Sequence, residues 1–251
     1  MVPKLHAALL SSLCAFAAHA ADAPLPLITT AELSARIRSE GGQPRDFTLV
    51  DARTRVEYGE AHIPGAVNCP AADAAALLPK LVKDRSRRLV FYCNGPKCTK
   101  SRKAAHEAVA LGYTSVLEYN EGLPAWGQAG LPVQGKPLPA FEAQAVSPER
   151  LSQMRGGPRA PVVVDVRDRE EYEGFHLPGS VSMPLDTLEK RLRDLPRGRE
   201  IVLVCHSGHQ SPIAARVLHA LGRSDVKKLD GGVVAWQQKG LPTESGPVAR
   251  H

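Results

Sequence analysis

Three cysteines sit where a thiol can serve as a nucleophile. FYCNGPKCTKS (residues 91–101) places Cys93 and Cys98 five positions apart around a Gly-Pro pair, and LVCHSGHQS (203–211) places Cys205 before a polar, glycine-containing stretch. The first spacing leaves open a disulfide, two metal ligands, or a nucleophile beside a bystander. In both stretches an apolar run ends at the cysteine and a helical pattern follows within a few residues. A loop that curls from a strand end into a helix N-terminus turns several backbone N–H groups inward, and the helix dipole strengthens the resulting anion nest. A cysteine at its base gains a thiolate at neutral pH and donors for an oxyanion or a persulfide anion. In the second loop Gly208 supplies backbone freedom, Ser207 and Ser211 supply hydroxyls, and His206, His209 and Gln210 line the rim. The plainer reading is a buried apolar thiol ending a strand. The polar loop after Cys205 argues for chemistry instead. Metal binding by Cys205, His206 and His209 is disfavoured, because C-x4-C is not a usual zinc spacing and a nest of N–H donors repels a cation. No metal and no cofactor is expected.

The elements that position these thiols occur twice. LVDAR (49–53) returns as VVDVR (163–167), YGEAHIPGAV (58–67) as YEGFHLPGSV (172–181), and EGLPAWGQAGLPV (121–133) as GGVVAWQQKGLPT (231–243). The offsets are 114 for the aspartates, 114 for the histidines, 112 for the cysteines and 110 for the tryptophans. Ordered matches at nearly constant offset indicate tandem domains. They are placed at 24–132 and 146–245, joined by a proline-containing linker over 133–145. Each half alternates apolar runs with helical patterns. FTLVDA (47–52), RLVFYC (88–93) and SVLEY (115–119) read as strands in the first half; PVVVDV (161–166) and EIVLVC (200–205) do so in the second. Continuous apolar strands separated by helices predict an α/β fold, with an open, mainly parallel sheet in each domain covered by helices on both faces. Helices are expected over 30–39, with Thr29 and Glu32 as a capping box, and from Ser101 to Leu111, ended by Gly112. Ligands of such sheets bind at the carboxyl ends of strands, where Cys93 and Cys205 lie.

The two loops differ in length. Cys93 to Ser101 spans 8 positions, whereas Cys205 to Ser211 spans 6, so Cys98 falls in an insertion with no counterpart in the second half. The set D-x-R, Y-x3-H-[IL]-P-G-[AS], a cysteine loop and a G-x3-W element resembles the rhodanese homology domain, present twice and covering nearly all of the chain after residue 20. That resemblance implies a sulfurtransferase. The loop cysteine takes a sulfane sulfur from a donor such as thiosulfate, holds it as a persulfide against loop N–H groups, and passes it to cyanide or a thiol. By the resemblance Cys205 is the sulfur-carrying nucleophile, and His206, Ser207, Gly208, His209, Gln210 and Ser211 form the cradle. Cys93 is a second candidate nucleophile, with Asn94, Gly95, Lys97 and Lys100 as its binding loop. Asp165, Arg167, His176 and Gly179 are framework residues. Cys98 is a candidate resolving thiol, set against a small side chain with no redox role. Both loops depart from the family pattern in lacking an arginine before the serine: Lys100 and Gln210 hold that position. His62 and His176, just before Ile-Pro-Gly and Leu-Pro-Gly, read as turn residues whose imidazoles bond backbone. Glu170 and Glu171 read as a solvated helix face, and Cys69 as structural.

The alternative to an enzyme is a non-catalytic sulfur-carrier or docking module of the same fold. A phosphatase or arsenate reductase on this fold uses a seven-residue cysteine loop ending in arginine, and neither loop has that length and arginine. The expected partners are a small anionic sulfur donor and a thiol or cyanide acceptor, with a sulfur-accepting protein as a further candidate.

Residues 1–20 carry a secretory signal-peptide pattern: Lys4, an apolar run from Ala7 to Ala18, and small residues at Ala18 and Ala20. The expectation is an exported protein, periplasmic in a Gram-negative bacterium. No segment has the ~20 apolar residues a membrane helix needs. The net charge of +6 drops to +5 without Lys4, the basic residues are scattered, and 5 Phe with 2 Trp offer no stacking platform for nucleic acid. Four cysteines follow the leader, Cys69, Cys93, Cys98 and Cys205. An exported domain stapled by disulfides would carry more in less chain, so these thiols read as kept for reactivity or burial.

Overall fold

The computed structural model describes residues 24–39, 46–157 and 159–247; the signal-peptide reading lies outside them. The chain divides into two compact units. The first takes in the described residues up to Arg53 together with Ile63–Val133, and the second holds Thr54–His62 and the chain from Gln134 onward.

In the first unit the strands are β1 (Phe47–Asp51), β2 (Val67–Asn68), β3 (Arg88–Tyr92) and β4 (Val116–Tyr119). They form one parallel sheet in the order β2-β1-β3-β4. In the second, β5 (Gln144–Val146), β6 (Val162–Asp165), β7 (Val181–Ser182), β8 (Ile201–Val204) and β9 (Val226–Leu229) form a parallel sheet in the order β5-β9-β8-β6-β7. Residues 144 and 145, read from sequence as linker, therefore belong to an edge strand. Ala143 and Val146 are both buried and anchor that strand. The two central strands β3 and β8 have almost unbroken apolar sequences because helices cover both their faces; all four residues of β8 are buried.

The register brings the chemistry to one edge of each sheet. Asp51 pairs with Tyr92 and Asp165 with Val204, so the ends of β1 and β6 lie beside the residues just before Cys93 and Cys205. The first helix opens as expected at Thr30, with Glu32 accepting from the Thr29 backbone at 2.8 Å and Thr29 Oγ1 accepting from Glu32 N at 3.2 Å. The helices after the cysteine loops are Lys100–Ala110 and Gln210–Ala220, so each starts one residue before its serine. Each sheet also closes on a tryptophan: Trp126 Nε1 donates to Pro132 O at 2.8 Å, and Trp236 Nε1 to Pro242 O at 2.9 Å. Among the described residues no helix is long and apolar enough to cross a membrane.

Candidate functional site

Each site starts from a buried ion pair at the end of a strand. Asp51 accepts from Arg53 Nε at 2.9 Å, Nη2 at 2.6 Å and the Arg53 backbone N–H at 3.0 Å. Asp165 and Arg167 repeat this with 3.0, 2.6 and 3.1 Å. A planar guanidinium fork against a carboxylate fixes the turn after the strand, and in the second unit both partners are fully buried. Arg53 Nη1 reaches Asn94 Oδ1 at 3.5 Å, which ties the ion pair to the first cysteine loop. In the second unit Arg167 Nη2 donates to Phe175 O at 2.7 Å. The histidines of the repeated H-[IL]-P-G turns bond backbone: His62 Nδ1 pairs with Tyr58 O and His176 Nδ1 with Tyr172 O, both at 2.8 Å. Each imidazole stacks on that tyrosine with centroids 3.8 Å apart. They are turn posts that hold the backbone. Cys69 is buried as a strand-end residue, its N–H donating to Asp51 O at 2.9 Å.

The floor of each loop is glycine. Cys93 O accepts from Leu123 N at 3.0 Å, and Cys205 O from Val233 N at 2.9 Å. That approach demands no side chain at Gly122 and Gly232, which hold φ of +69° and +62°. A Cβ on Gly122 would lie 2.4 Å from both Cys93 O and Gly95 N, and one on Gly232 would lie 2.3 Å from Cys205 O and 2.6 Å from His206 O. Sequence reading registered these glycines as part of a motif and missed their task. Their signal was a glycine five or fewer residues before the repeated tryptophan, at a turn that must take positive φ.

In the second loop the Gly208 N–H points at Cys205 Sγ from 3.2 Å, and Ser211 Oγ lies 3.3 Å from it. Gly208 takes φ +95°, which turns its amide inward. Ser207 and His206 are half-buried at the rim, His209 is exposed, and Gln210 and Ser211 are buried at the helix start. Gln210 thus occupies the position before the serine as a neutral, buried side chain. His206 Nδ1 lies 3.9 Å from Glu171 Oε1. Glu171 is half-buried against the loop, which corrects its reading as a solvated face; Glu170 is exposed. The loop therefore presents one backbone donor, one hydroxyl and a histidine rim around a thiol that is 1 % exposed.

The first loop is built differently. Gly95, at φ +104°, accepts from Cys98 N at 2.9 Å, closing a turn that folds the inserted residues back over Cys93. Cys93 Sγ then lies 3.3 Å from Cys98 O and 3.1 Å from Ser101 Oγ. The neighbouring Cys98 is the main reason that the Cys93 thiol is lowered from 9.0 to about 7. Burial opposes the shift; the Ser101 hydroxyl and the Ser101 and Asn94 backbone N–H groups reinforce it. The Cys98 thiol is pushed well up by its neighbour Cys93 and by burial, so Cys93 is the thiol of the pair that ionises first. Ser101 Oγ also donates to buried Glu118 Oε1 at 2.9 Å, and a hydroxyl has a single proton to give. While Ser101 serves Glu118, its proton is not offered to Cys93 Sγ. Glu118, 2 % exposed on β4, was not singled out in sequence; a glutamate inside an apolar strand run was its signal. Lys97 is exposed on the loop, Lys100 is buried at the helix start, Asn94 is half-buried and Gly95 buried. Cys69, Cys93, Cys98 and Cys205 are all free thiols. Among the described residues no group of three His, Cys, Asp or Glu side chains is placed to hold a metal ion.

A family model described as "Rhodanese-like domain" matches residues 29–129 and again 147–239. The chain belongs to the rhodanese-like domain family. Its two rhodanese-like domains stand in tandem, each carrying one parallel sheet and one cysteine loop. Curated relatives include "HTH-type transcriptional regulator Rv0324" of Mycobacterium tuberculosis, 38 % identical over 91 residues, covering 36 % of this chain and 40 % of that protein. "Putative sulfur carrier protein YrkF" of Bacillus subtilis is 37 % identical over 102 residues, covering 41 % of this chain and 50 % of that protein. The chain therefore spans half or less of the length of these two. "Thiosulfate sulfurtransferase GlpE" of Pseudomonas syringae is 33 % identical over 96 residues, covering 38 % of this chain and 89 % of that protein. The rhodanese-like fold thus occurs here among relatives named for sulfur transfer, sulfur carriage and transcriptional regulation.

Proposed function

We propose that this protein is a sulfurtransferase that moves sulfane sulfur from a small anionic donor, thiosulfate among them, to cyanide or a thiol through cysteine persulfides on Cys205 and Cys93. The observation that carries this reading is the Gly208 N–H aimed at Cys205 Sγ from 3.2 Å, at the mouth of a parallel sheet and the start of a helix. A persulfide is a soft anion, and a backbone N–H beside a helix N-terminus stabilises it without bringing a proton that would quench it. Thiolate attack on the outer sulfur of thiosulfate forms the Sγ–S bond, and sulfite leaves with the electron pair of the broken S–S bond. The acceptor nucleophile then takes the outer sulfur and returns the cysteine as thiolate. In this scheme Ser211, Ser207 and the His206 and His209 rim surround the entering anion at the second site. Asn94, Gly95, Lys97 and Lys100 do so at the first, with Lys97 the exposed cation. Gln210 in place of an arginine favours a donor of low charge demand. The reading extends to an exported chain beginning at Ala21, supported by the composition of residues 1–20.

The relative named a putative sulfur carrier supports a second reading, in which the persulfide forms but is handed only to a protein acceptor. Both readings share the loading step and part at turnover. Thiosulfate:cyanide activity of the wild type, Cys93→Ser and Cys205→Ser, with intact mass after thiosulfate and again after cyanide, separates them. Sulfur adducts removed by cyanide with multiple turnovers support the enzyme; adducts without turnover support the carrier; no adduct on either cysteine refutes both.

A further inference from the structure

The two loops hold their thiols in different company. Cys205 has a backbone amide and a serine hydroxyl within hydrogen-bond distance, and no second thiol in its six-position loop. Cys93 has Cys98 folded over it by the Gly95 turn, with Cys98 O 3.3 Å from its sulfur. Cys98 is half-buried where Cys93 is 1 % exposed. We propose that the first cysteine loop is a dithiol release site, at which Cys98 attacks Cys93 Sγ of a persulfide, closes a Cys93–Cys98 disulfide and expels the outer sulfur as hydrosulfide.

This inference rests on the reading of Cys93 as a sulfur acceptor. In the step, the Cys98 thiol gives up its proton, a new bond forms between the two Sγ atoms, and the bond from Cys93 Sγ to the outer sulfur breaks. That sulfur leaves with the electron pair and takes the proton. The outer sulfur is reduced by two electrons and the two cysteines are together oxidised by two, so the step needs no other reagent; an external dithiol reductant then reopens the pair. The Cys98 backbone carbonyl lies 3.3 Å from the inner sulfur, which keeps Cys98 beside it and directs attack there. An attacking thiol already held in contact has lost little freedom still to lose, which makes the step fast relative to attack by a thiol from solution. Cys205 lacks such a neighbour, so its persulfide persists until an acceptor arrives. One chain thereby pairs a holding site with a releasing site.

The test uses the full chain carrying Cys205→Ser, alone and with Cys98→Ser or Cys98→Ala, each checked for a native unfolding transition. Thiosulfate is the sulfur source; sulfite counts loading, sulfide counts release, and peptide mass locates the sulfur. With Cys98 present, the expected result is about one sulfide per sulfite and a Cys93–Cys98 disulfide. Without it, sulfur stays on Cys93 and sulfide release slows at least about tenfold. Equal retention of sulfur on Cys93 with and without Cys98 overturns the release step while leaving Cys93 an acceptor. Sulfur found on Cys98 as a persulfide overturns it in favour of a relay. No sulfur on Cys93 in any of the variants overturns both the release site and the reading beneath it.

Discussion

Gly232 offers the sharpest test of how the second cysteine loop is held. It has φ +62°, and a Cβ there would lie 2.3 Å from Cys205 O, 2.6 Å from His206 O and 2.8 Å from His206 C. All three are backbone atoms, so no side chain can swing away. Gly240 has nearly the same φ, +64°, and open space where its Cβ would go. Gly240→Ala therefore costs only the left-handed backbone, about 1–2 kcal/mol. Gly232→Ala costs that and also the displacement of the loop by close to an ångström, for which core overpacking at ~1–3 kcal/mol is the nearest measure. The total is about 2–5 kcal/mol. Urea denaturation followed by tryptophan fluorescence reads it: the chain has 2 tryptophans, and a Trp126→Phe background leaves Trp236 as the reporter of the second unit. The displaced loop should also lose its aim, with sulfur loading of Cys205 falling more than in Gly240→Ala. Equal midpoints and equal loading for the two alanine variants, at unchanged m-value, would refute the reasoning.

Four more predictions concern charge. Alkylation of Cys93 by a small reagent should show a pH midpoint near 7 that moves upward in Cys98→Ala, because the Cys98 contact is the leading cause of its depression from 9.0. The linkage has a definite sign: the folded protein binds fewer protons than the unfolded chain between pH 7 and 9, so stability rises across that window and is lost as pH falls through 7. Urea midpoints should show this slope, and Cys93→Ser should flatten it. Glu118→Ala frees the Ser101 proton for the thiolate, so the same alkylation midpoint should fall further, against the ordinary expectation that removing a buried partner disturbs the site. Asp165→Asn leaves Arg167 as a buried cation with an incomplete fork and should cost about 3–5 kcal/mol in urea denaturation, with Asp51→Asn costing a similar amount in the first unit.

The fold was readable because it rests on local signals repeated at a fixed offset. Apolar runs such as IVLV ended at residues whose neighbours turn polar, and parallel sheets need just such runs. The position of Cys93 and Cys205 at strand ends followed from that pattern, as did the backbone-bonded imidazoles of His62 and His176. What escaped sequence reading depends on contacts between distant segments. Gly122 and Gly232 look like ordinary turn glycines until the carbonyl of a cysteine 27 or 29 residues earlier is seen against them. Glu118 and Ser101 lie 17 positions apart and meet only because β4 pairs beside β3. Glu171 carries a surface-helix pattern, and its approach to His206 comes from how the helix Arg169–Gly174 sits over the loop. The strand Gln144–Val146 hid in a stretch whose prolines pointed to a linker, since an edge strand of three residues has too little sequence to announce itself.

Because the cysteine carbonyl is pinned from beneath at one foot of the loop and the helix start secures the other, the span between them behaves as a replaceable insert. Nature has fitted an eight-position version in one copy and a six-position version in the other above the same pair of supports. Exchanging the two spans by protein engineering should thus carry their chemical habits with them, while the scaffold below stays indifferent to which one it bears.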